Sequence, residues 1–175
     1  VPNGYVQPGN AILTDLGANP DLKPEDSRSI TIGAVWQPSF ANGLSVTLDY
    51  FDFKLTNAIT TANGTDILNQ CYISDSLSHP FCGPTYHRRN SLTGVVEYLS
   101  AQKSNAGIEY LKGFDFGAVY NFEAFDNANS FDLNVTYLDT YKRVAYLGGA
   151  ERVLDGFIGA GFGGYPKWRA NASFN

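Results

Sequence analysis

Two cysteines and two histidines are the residues of this chain best suited to nucleophilic or metal chemistry, and all four lie in one polar, turn-rich stretch. Ten residues separate Cys71 from Cys82, which is wider than the CxxC pairs of a zinc site. Neither His79 nor His87 has a serine or cysteine partner at a spacing typical of a catalytic motif. The spacing therefore predicts no catalytic residue, no metal site and no cofactor, and we do not expect an enzyme.

The two cysteines are better explained by a bond to each other than by reactivity. Disulfides form in oxidising compartments, and they suit a polar stretch that is rich in turns. We therefore expect a disulfide between Cys71 and Cys82, with two free thiols as the alternative.

A basic cluster follows the second cysteine, in a chain whose formal net charge is −5. It consists of His87, Arg88 and Arg89, and its positive charge suits an anionic ligand or the phosphates of a lipid. Tyr72 lies in the same stretch, and aromatic side chains beside a few polar groups are typical of small-molecule and sugar sites. These four residues are the candidates for ligand contact, and a solvated turn is the alternative interpretation.

The composition limits the kind of protein that positions these residues. The 175 residues suffice for one domain, with 43% hydrophobic and only 17% charged residues. Aromatic residues reach 14% and there are 18 glycines, a profile typical of β-proteins. The acidic balance argues against a nucleic-acid partner, whose binding surface would be basic.

Five segments alternate strictly between apolar and polar residues, which predicts five β-strands. The predicted strands are 29–37, 44–56, 113–123, 130–141 and 167–175. Their apolar faces contain no charged residue, and their polar faces are rich in small and amide side chains, as a confined wet lumen would require. The residues expected to face such a lumen are Asp115, Asn121, Asp132, Asn134, Arg169 and Asn171.

The connections between these strands alternate between short and long. The segments 38–43 and 124–130 are short turns, whereas 57–105 and 142–166 are long. A connection of about fifty residues is improbable inside a compact soluble domain, but outer-membrane barrels combine short periplasmic turns with long external loops. Aromatic residues also lie at the strand ends, as in the interfacial girdles of such barrels. A soluble β-sandwich is the alternative.

The second strand departs from this pattern at its far end. After Tyr50 the bulky residues move to odd positions, at Phe51, Phe53 and Leu55. Either a bulge turns the strand over, or the strand has left the hydrocarbon and its packing rules have changed. We favour the second explanation, because this end leads into the long connection.

An ordered series of motifs resembles the C-terminal half of TonB-dependent outer-membrane receptors. The motifs are NPDLKPE at 19–25, GLSVTLDYFDFK at 43–54, ILNQCY at 67–72 with FC at 81–82, GFDF at 113–116 and GYPKWR at 164–169. The pair of cysteines is similar to the two-cysteine external loop of one large branch of that family. The resemblance implies an all-β fold, with residues 1–175 forming about five strands of an antiparallel transmembrane barrel of 22 strands, as an internal part without plug or final strand.

The same resemblance implies energy-coupled uptake of a scarce solute across the outer membrane of a Gram-negative bacterium. The solutes of the family include siderophores, cobalamin and carbohydrates. The implied partners are TonB with its inner-membrane energising complex, reached through an N-terminal part, a small-molecule or oligosaccharide ligand, and outer-membrane lipid. A passive porin-like barrel and a secreted β-sandwich adhesin or lectin are the alternatives.

Overall fold

Strands dominate the computed structural model, which describes residues 12–124, 126–159 and 163–175. The N-terminal residues 1–11, Phe125 and the middle of the glycine-rich run at 160–162 lie outside the described residues. In chain order the elements are β1 (Leu13–Asp15), β2 (Asp26–Trp36), β3 (Leu44–Thr61), α1 (Gly64–Ile73), β4 (His87–Arg89), β5 (Val96–Ser100), β6 (Lys103–Ala124), β7 (Asn127–Val144), β8 (Arg152–Val153), β9 (Ile158–Gly159), β10 (Gly163–Gly164) and β11 (Trp168–Phe174). The all-β prediction is therefore confirmed.

The chain divides into two compact units. We call 27–55, 108–143 and 151–175 the wall unit, and 12–26, 56–107 and 144–150 the loop unit. No α-helix in the described part of the chain is long and apolar enough to cross a membrane.

The wall unit is built on one sheet with the strand order β11-β7-β6-β3-β2, and β8 adds to β7. Neighbouring strands run antiparallel. Between β7 and β11 the partners run from Trp168 opposite Tyr137 to Phe174 opposite Phe131. The sheet has β2 at one edge and β11 at the other, so the described strands do not close into a barrel.

A tight turn joins β2 to β3, and a glycine there meets the neighbouring hairpin. The Gly43 backbone has a φ of 85°, a left-handed conformation that glycine adopts without strain. Its carbonyl oxygen accepts a hydrogen bond of 2.9 Å from the Asn121 N–H, and a side chain at position 43 would collide with the Asn121 backbone. Glycine at position 43 therefore allows the turn and the Asn121 backbone to meet.

The strands extend beyond the ends that periodicity predicted. β3 continues to Thr61 and β6 already begins at Lys103, so both enter the segment 57–105 that was expected to be an external loop. Alternation fades here, but backbone pairing does not require it. Small side chains also let the strands approach, since Gly107 lies directly against Ala58 and Thr60.

The loop unit has a hydrophobic core of its own. Its sheet has the order β1-β5-β4, and α1 packs with it around seven buried residues, Ala62, Ile67, Cys71, Phe81, Val96, Leu99 and Ala101. Helix α1 begins with a reciprocal cap. The Asn63 side chain accepts the Asp66 N–H at 2.9 Å, and the Asp66 carboxylate accepts the Asn63 N–H at 3.4 Å.

The predicted disulfide is confirmed. Cys71 and Cys82 are bonded, and their Cα atoms are 4.9 Å apart. The bond joins the end of α1 to the segment that carries Phe81, of which only 1% is exposed. The segment 144–150 also packs here, since the Tyr146 ring lies 6.4 Å from the Phe81 ring and Gly148 leaves no room for a side chain beside His79.

In the wall unit, a buried carboxylate fastens the segment after β8. Only 9% of the Asp155 side chain is exposed. Burial alone would raise the pKa of Asp155, but the Tyr141 N–H donates to its carboxylate at 3.1 Å and Lys167 Nζ lies 3.1 Å away, so its pKa falls below the usual value. The ionised carboxylate therefore holds β7 and the 151–159 segment together.

We expect loss of the disulfide to loosen the loop unit. Replacing both Cys71 and Cys82 by Ser should lower its free energy of local unfolding by about 2–3 kcal/mol, because the bond closes a short loop in the unfolded chain. Pulse proteolysis of the folded full-length receptor, at sites within 57–105, measures this change. Reduced wild-type protein serves as the control and should match the variant, whereas equal resistance of variant and oxidised wild type would contradict the prediction.

We also expect the 151–159 segment to depend on pH through Asp155. Because the pKa of Asp155 is lowered on folding, its contribution is complete above about pH 4 and is lost as the pH falls through the lowered pKa. Hydrogen exchange of the Tyr141 and Leu154 amides, corrected for intrinsic rates, should show this loss of protection in the wild type and not in Asp155→Asn. Asp126→Asn, in the turn between β6 and β7, is the matched control and should keep the wild-type profile.

Candidate functional site

One face of the wall sheet is apolar and free of charge. We call it the apolar face, and its residues are Ile30, Ile32, Ala34 and Trp36 of β2, Leu44, Val46, Leu48 and Tyr50 of β3, Phe114, Phe116, Ala118, Tyr120 and Phe122 of β6, Phe131, Leu133, Val135 and Tyr137 of β7, and Trp168, Ala170, Ala172 and Phe174 of β11. Large side chains on this face are exposed, among them Ile32 at 67% and Trp168 at 66%. In water, exposed apolar area of this extent would be unfavourable.

Aromatic pairs lie at both ends of the apolar face. At one end the Tyr50 and Phe114 rings are 5.2 Å apart and the Tyr137 and Trp168 rings 4.5 Å apart. At the other end Phe122 lies 6.2 Å from Phe174, and Trp36 lies 5.9 Å from Phe40. The eight steps from Phe114 to Phe122 cover about 26 Å along the strand, or about 20 Å after a tilt of about 40°, comparable with the apolar band of about 25 Å in outer-membrane barrels.

Charged residues follow immediately beyond the first aromatic pairs. The Tyr50 hydroxyl donates to Asp52 at 3.2 Å, and Lys112 Nζ lies 3.0 Å from an Asp139 carboxylate oxygen. The charge-free zone therefore ends at the level of Tyr50 and Phe114.

The other face, which we call the polar face, carries a row of hydrogen-bonding side chains across four strands. Arg169 on β11 lies opposite Thr136 on β7, and the Thr136 hydroxyl donates to Asp115 on β6 at 2.7 Å. Across the sheet from β11 to β6, the row therefore contains Arg169, Thr136 and Asp115.

Asp49 on β3 completes this row. Thr47 lies against Gly117, and Phe51 lies against Gly113. On β3, Asp49 lies between Thr47 and Phe51, and on β6, Asp115 lies between Gly117 and Gly113, so the two backbone positions are opposite each other. The Asp49 carboxylate lies against Gly33 on β2. We call Asp49, Asp115, Thr136 and Arg169 the charged row.

Alternation places all six of the residues predicted to face a lumen on the polar face. Asn134 lies opposite Asn171, and Asp132 lies opposite Ser173. Asn121 is near the β6–β7 turn, away from the charged row. The structure therefore brings Asp115 and Arg169 into one row and keeps the other four nearer the opposite end of the sheet.

An apolar cavity borders the charged row on the polar face. Its volume is about 460 Å³, and its apolar lining comes from Phe51, Phe53, Leu111, Leu138 and Tyr165, with Asp115, Thr136 and Arg169 at its edge. The Phe51 and Phe53 rings are 5.9 Å apart. An adjoining cavity of about 330 Å³ shares four of these residues and adds Leu55, Glu109 and Tyr141.

The sequence contained a signal for this cavity in the odd-numbered Phe51, Phe53 and Leu55. β3 does not turn over, because Phe51 shares the polar face with Thr47 through their contacts with Gly113 and Gly117. The bulky residues are thus apolar side chains on the polar face.

The cavity carries a cation, Arg169, that has no partner among the described residues. No described residue accepts a hydrogen bond from Arg169 or forms an ion pair with it. Arg143 differs, because its Nε lies 3.0 Å from a Glu109 carboxylate oxygen, although its N–H is not directed at that oxygen. Arg169 therefore keeps its full capacity to bind an anion.

The four ligand-contact candidates of the loop unit are held by neighbours. The Arg89 guanidinium lies 5.4 Å from the centre of the Tyr72 ring and donates to the Gly94 carbonyl at 2.7 Å. Arg88 lies 5.6 Å from the Tyr98 ring centre. His87 Nδ1 lies 2.8 Å from the Phe81 carbonyl oxygen. The structure thus brings Tyr72 and Arg89 together, and contact of these residues with a ligand stays a prediction.

No metal-binding group is visible among the residues that the structure describes. No group of three or more His, Cys, Asp or Glu side chains there is arranged to hold a metal ion. Both cysteines are in the disulfide, so neither carries a thiol.

Comparison with known proteins gives one result. A family model described as TonB dependent receptor-like, beta-barrel matches residues 2–175. A search among curated proteins and among solved structures finds no match to this chain. The family match covers nearly the whole sequence and agrees with an antiparallel sheet that has one apolar and one polar face. The chain therefore belongs to the TonB-dependent receptor family and forms part of its β-barrel domain.

Proposed function

We propose that this chain is part of the wall of an energy-coupled receptor that takes up a scarce solute. The family consists of outer-membrane receptors of Gram-negative bacteria, and it is a transporter family, not an enzyme family. The observation that carries the proposal is the division of one sheet between a charge-free face and a face with a charged row. Such a wall separates hydrocarbon from a wet interior.

The exposed apolar face suits lipid and does not suit water. Phe174 is 65% exposed and Leu48 is 50% exposed, and burying apolar surface contributes about 25 cal/mol per Å². The aromatic pairs at both ends match interfacial girdles, and the ion pair of Lys112 with Asp139 suits the headgroup region beyond them.

The polar face then faces the lumen. Carboxylates and a guanidinium in hydrocarbon would cost several kcal/mol each, so Asp115 and Arg169 require the wet side. We assign the same side to the remaining polar candidates, Asn121, Asp132, Asn134 and Asn171.

Uptake by this family implies coupling to TonB and its inner-membrane energising complex. We propose the same partner for the receptor that contains this chain, together with a solute of the siderophore, cobalamin or carbohydrate class. Tyr72, His87, Arg88 and Arg89 of the loop unit remain candidates for the first contact with that solute. Their paired rings and guanidinium groups offer stacking and anion binding.

Two alternatives predict different behaviour. A passive porin-like barrel would conduct in proportion to concentration and need no energy. A secreted β-sandwich adhesin would need two sheets packed face to face, whereas the wall unit places its five long strands in one sheet with an exposed apolar face.

Substitutions on opposite faces of one strand test the wall assignment. Leu133→Arg should lower the stability of the folded receptor in lipid by about 2–4 kcal/mol, because it places a charge in hydrocarbon. The neighbouring Asn134→Arg is the matched control and should cost much less, because its side chain enters the wet side. Folded yield and urea midpoints in liposomes measure the difference, and equal tolerance at both positions would contradict the assignment.

Uptake measurements test energy coupling. Cells that express the full-length receptor should accumulate at least one solute from a radiolabelled panel of ferric siderophores, cobalamin and maltodextrins. A protonophore or loss of TonB should abolish this accumulation, because the energy comes from the inner membrane. Uptake that rises linearly with concentration and ignores the protonophore would support the passive porin instead.

A further inference from the structure

The polar face combines two features that indicate what kind of solute it binds. One is the apolar cavity lined by Phe51, Phe53 and Tyr165, and the other is the part of the charged row at its edge, namely Asp115, Thr136 and Arg169. On a lumen wall, aromatic surface and unpaired charge side by side are suited to a solute that has both an apolar ring and a charged head.

Among the described residues, no cation pairs with Asp115 of the charged row. Asp49 is opposite Asp115 on the neighbouring strand, but its carboxylate lies against Gly33 on β2. The Thr136 hydroxyl is the one described donor to Asp115, and no described residue forms a hydrogen bond or ion pair with Asp49. The Asp115 carboxylate is therefore available to a positively charged group of a bound solute.

At the basic end, no described residue supplies an anion to Arg169. Arg169 is two strands away from Asp115, which corresponds to about 10 Å between the strands, and Thr136 lies between them. The guanidinium has five N–H donors in a planar fork that fits a carboxylate. The opposite charges of Asp115 and Arg169 therefore match a head that carries both signs.

The cavity provides the surface for the remainder of the solute. Its volume of about 460 Å³ is at the lower end of the range for small-molecule sites. The side chains of Leu111 and Leu138 form apolar surface beside the Phe51 and Phe53 rings. The flat apolar ring of a solute can therefore lie against apolar side chains in the cavity.

We propose that this surface binds solutes that join a flat apolar ring to a zwitterionic head, the chemistry of an aromatic amino acid. The ring lies in the cavity, the carboxylate binds Arg169 and the ammonium group lies by Asp115. This inference rests on the proposed function in one respect, namely that the polar face is the side that solutes reach.

Three probes with the same ring separate the contributions of the head. The full-length receptor in lipid nanodiscs is titrated with tryptophan, indole-3-acetate and tryptamine, and binding is followed by ligand-observed NMR. Tryptophan should bind about tenfold more tightly than either singly charged analogue. Equal affinities for all three, or no binding of any, would overturn the proposal.

Variants assign each charge. Arg169→Gln should lower the affinity of the receptor for tryptophan to its affinity for tryptamine. Asp115→Asn should reduce the preference of the receptor for tryptophan over indole-3-acetate. Phe53→Ala should weaken the binding of all three probes by similar factors. Selectivity that persists in both charge variants would overturn the proposal.

Matched controls change charge elsewhere. Arg28→Gln alters a residue that shares its strand face with Ile30, and Asp126→Asn alters the β6–β7 turn. Both should leave the three affinities unchanged, and heat-modifiable mobility on gels verifies that every variant is folded.

The binding measurement needs no energy source, so it is separate from the uptake measurement. Energised uptake from the solute panel without selective tryptophan binding would refute this inference alone. Selective tryptophan binding without energised uptake would contradict the proposed transport and leave the binding surface in place.

Discussion

The wall unit depends on one constraint, namely that successive side chains of a strand point to opposite sides of the sheet. Hydrogen bonds between strands satisfy the backbone, so the two faces are free to meet different environments. One face can then be free of charge while the next residue along each strand is polar. Small residues serve the same arrangement, since Gly33 leaves room for Asp49 and Gly117 leaves room for Thr47.

Side chains continue to alternate where the charge-free zone ends, but the chemistry of the two faces changes there. Beyond Tyr50 the apolar side of the sheet carries Asp52 and Lys112, while the polar side carries Phe51 and Phe53. Beyond this level the apolar side therefore carries charged residues and the polar side carries apolar residues, although β3 does not turn over. Outside hydrocarbon, charged groups are hydrated at little cost, and apolar groups gain by covering one another. The apolar cavity beside the charged row is a consequence of this exchange.

The loop unit is stabilised by a different means. Its core has only a few large buried side chains, chiefly Ile67, Phe81 and Leu99. A core of this size stabilises a fold only marginally, and the disulfide between Cys71 and Cys82 supplements it. The result is a folded unit within the segment 57–105 that the sequence predicted to be a long external loop, and it holds Tyr72 and Arg89 in contact.

The sequence by itself determined the features that are local. Alternation assigned residues such as Leu133 and Asn134 to opposite faces, and the spacing of two cysteines in a turn-rich stretch indicated their bond. Only the tertiary structure decided where β3 and β6 extend to Thr61 and Lys103, because pairing continues after alternation fades. It also decided that Asp49, Asp115, Thr136 and Arg169 share one row, since that row depends on the register of four strands distant in sequence. No pattern within a single strand carries that register.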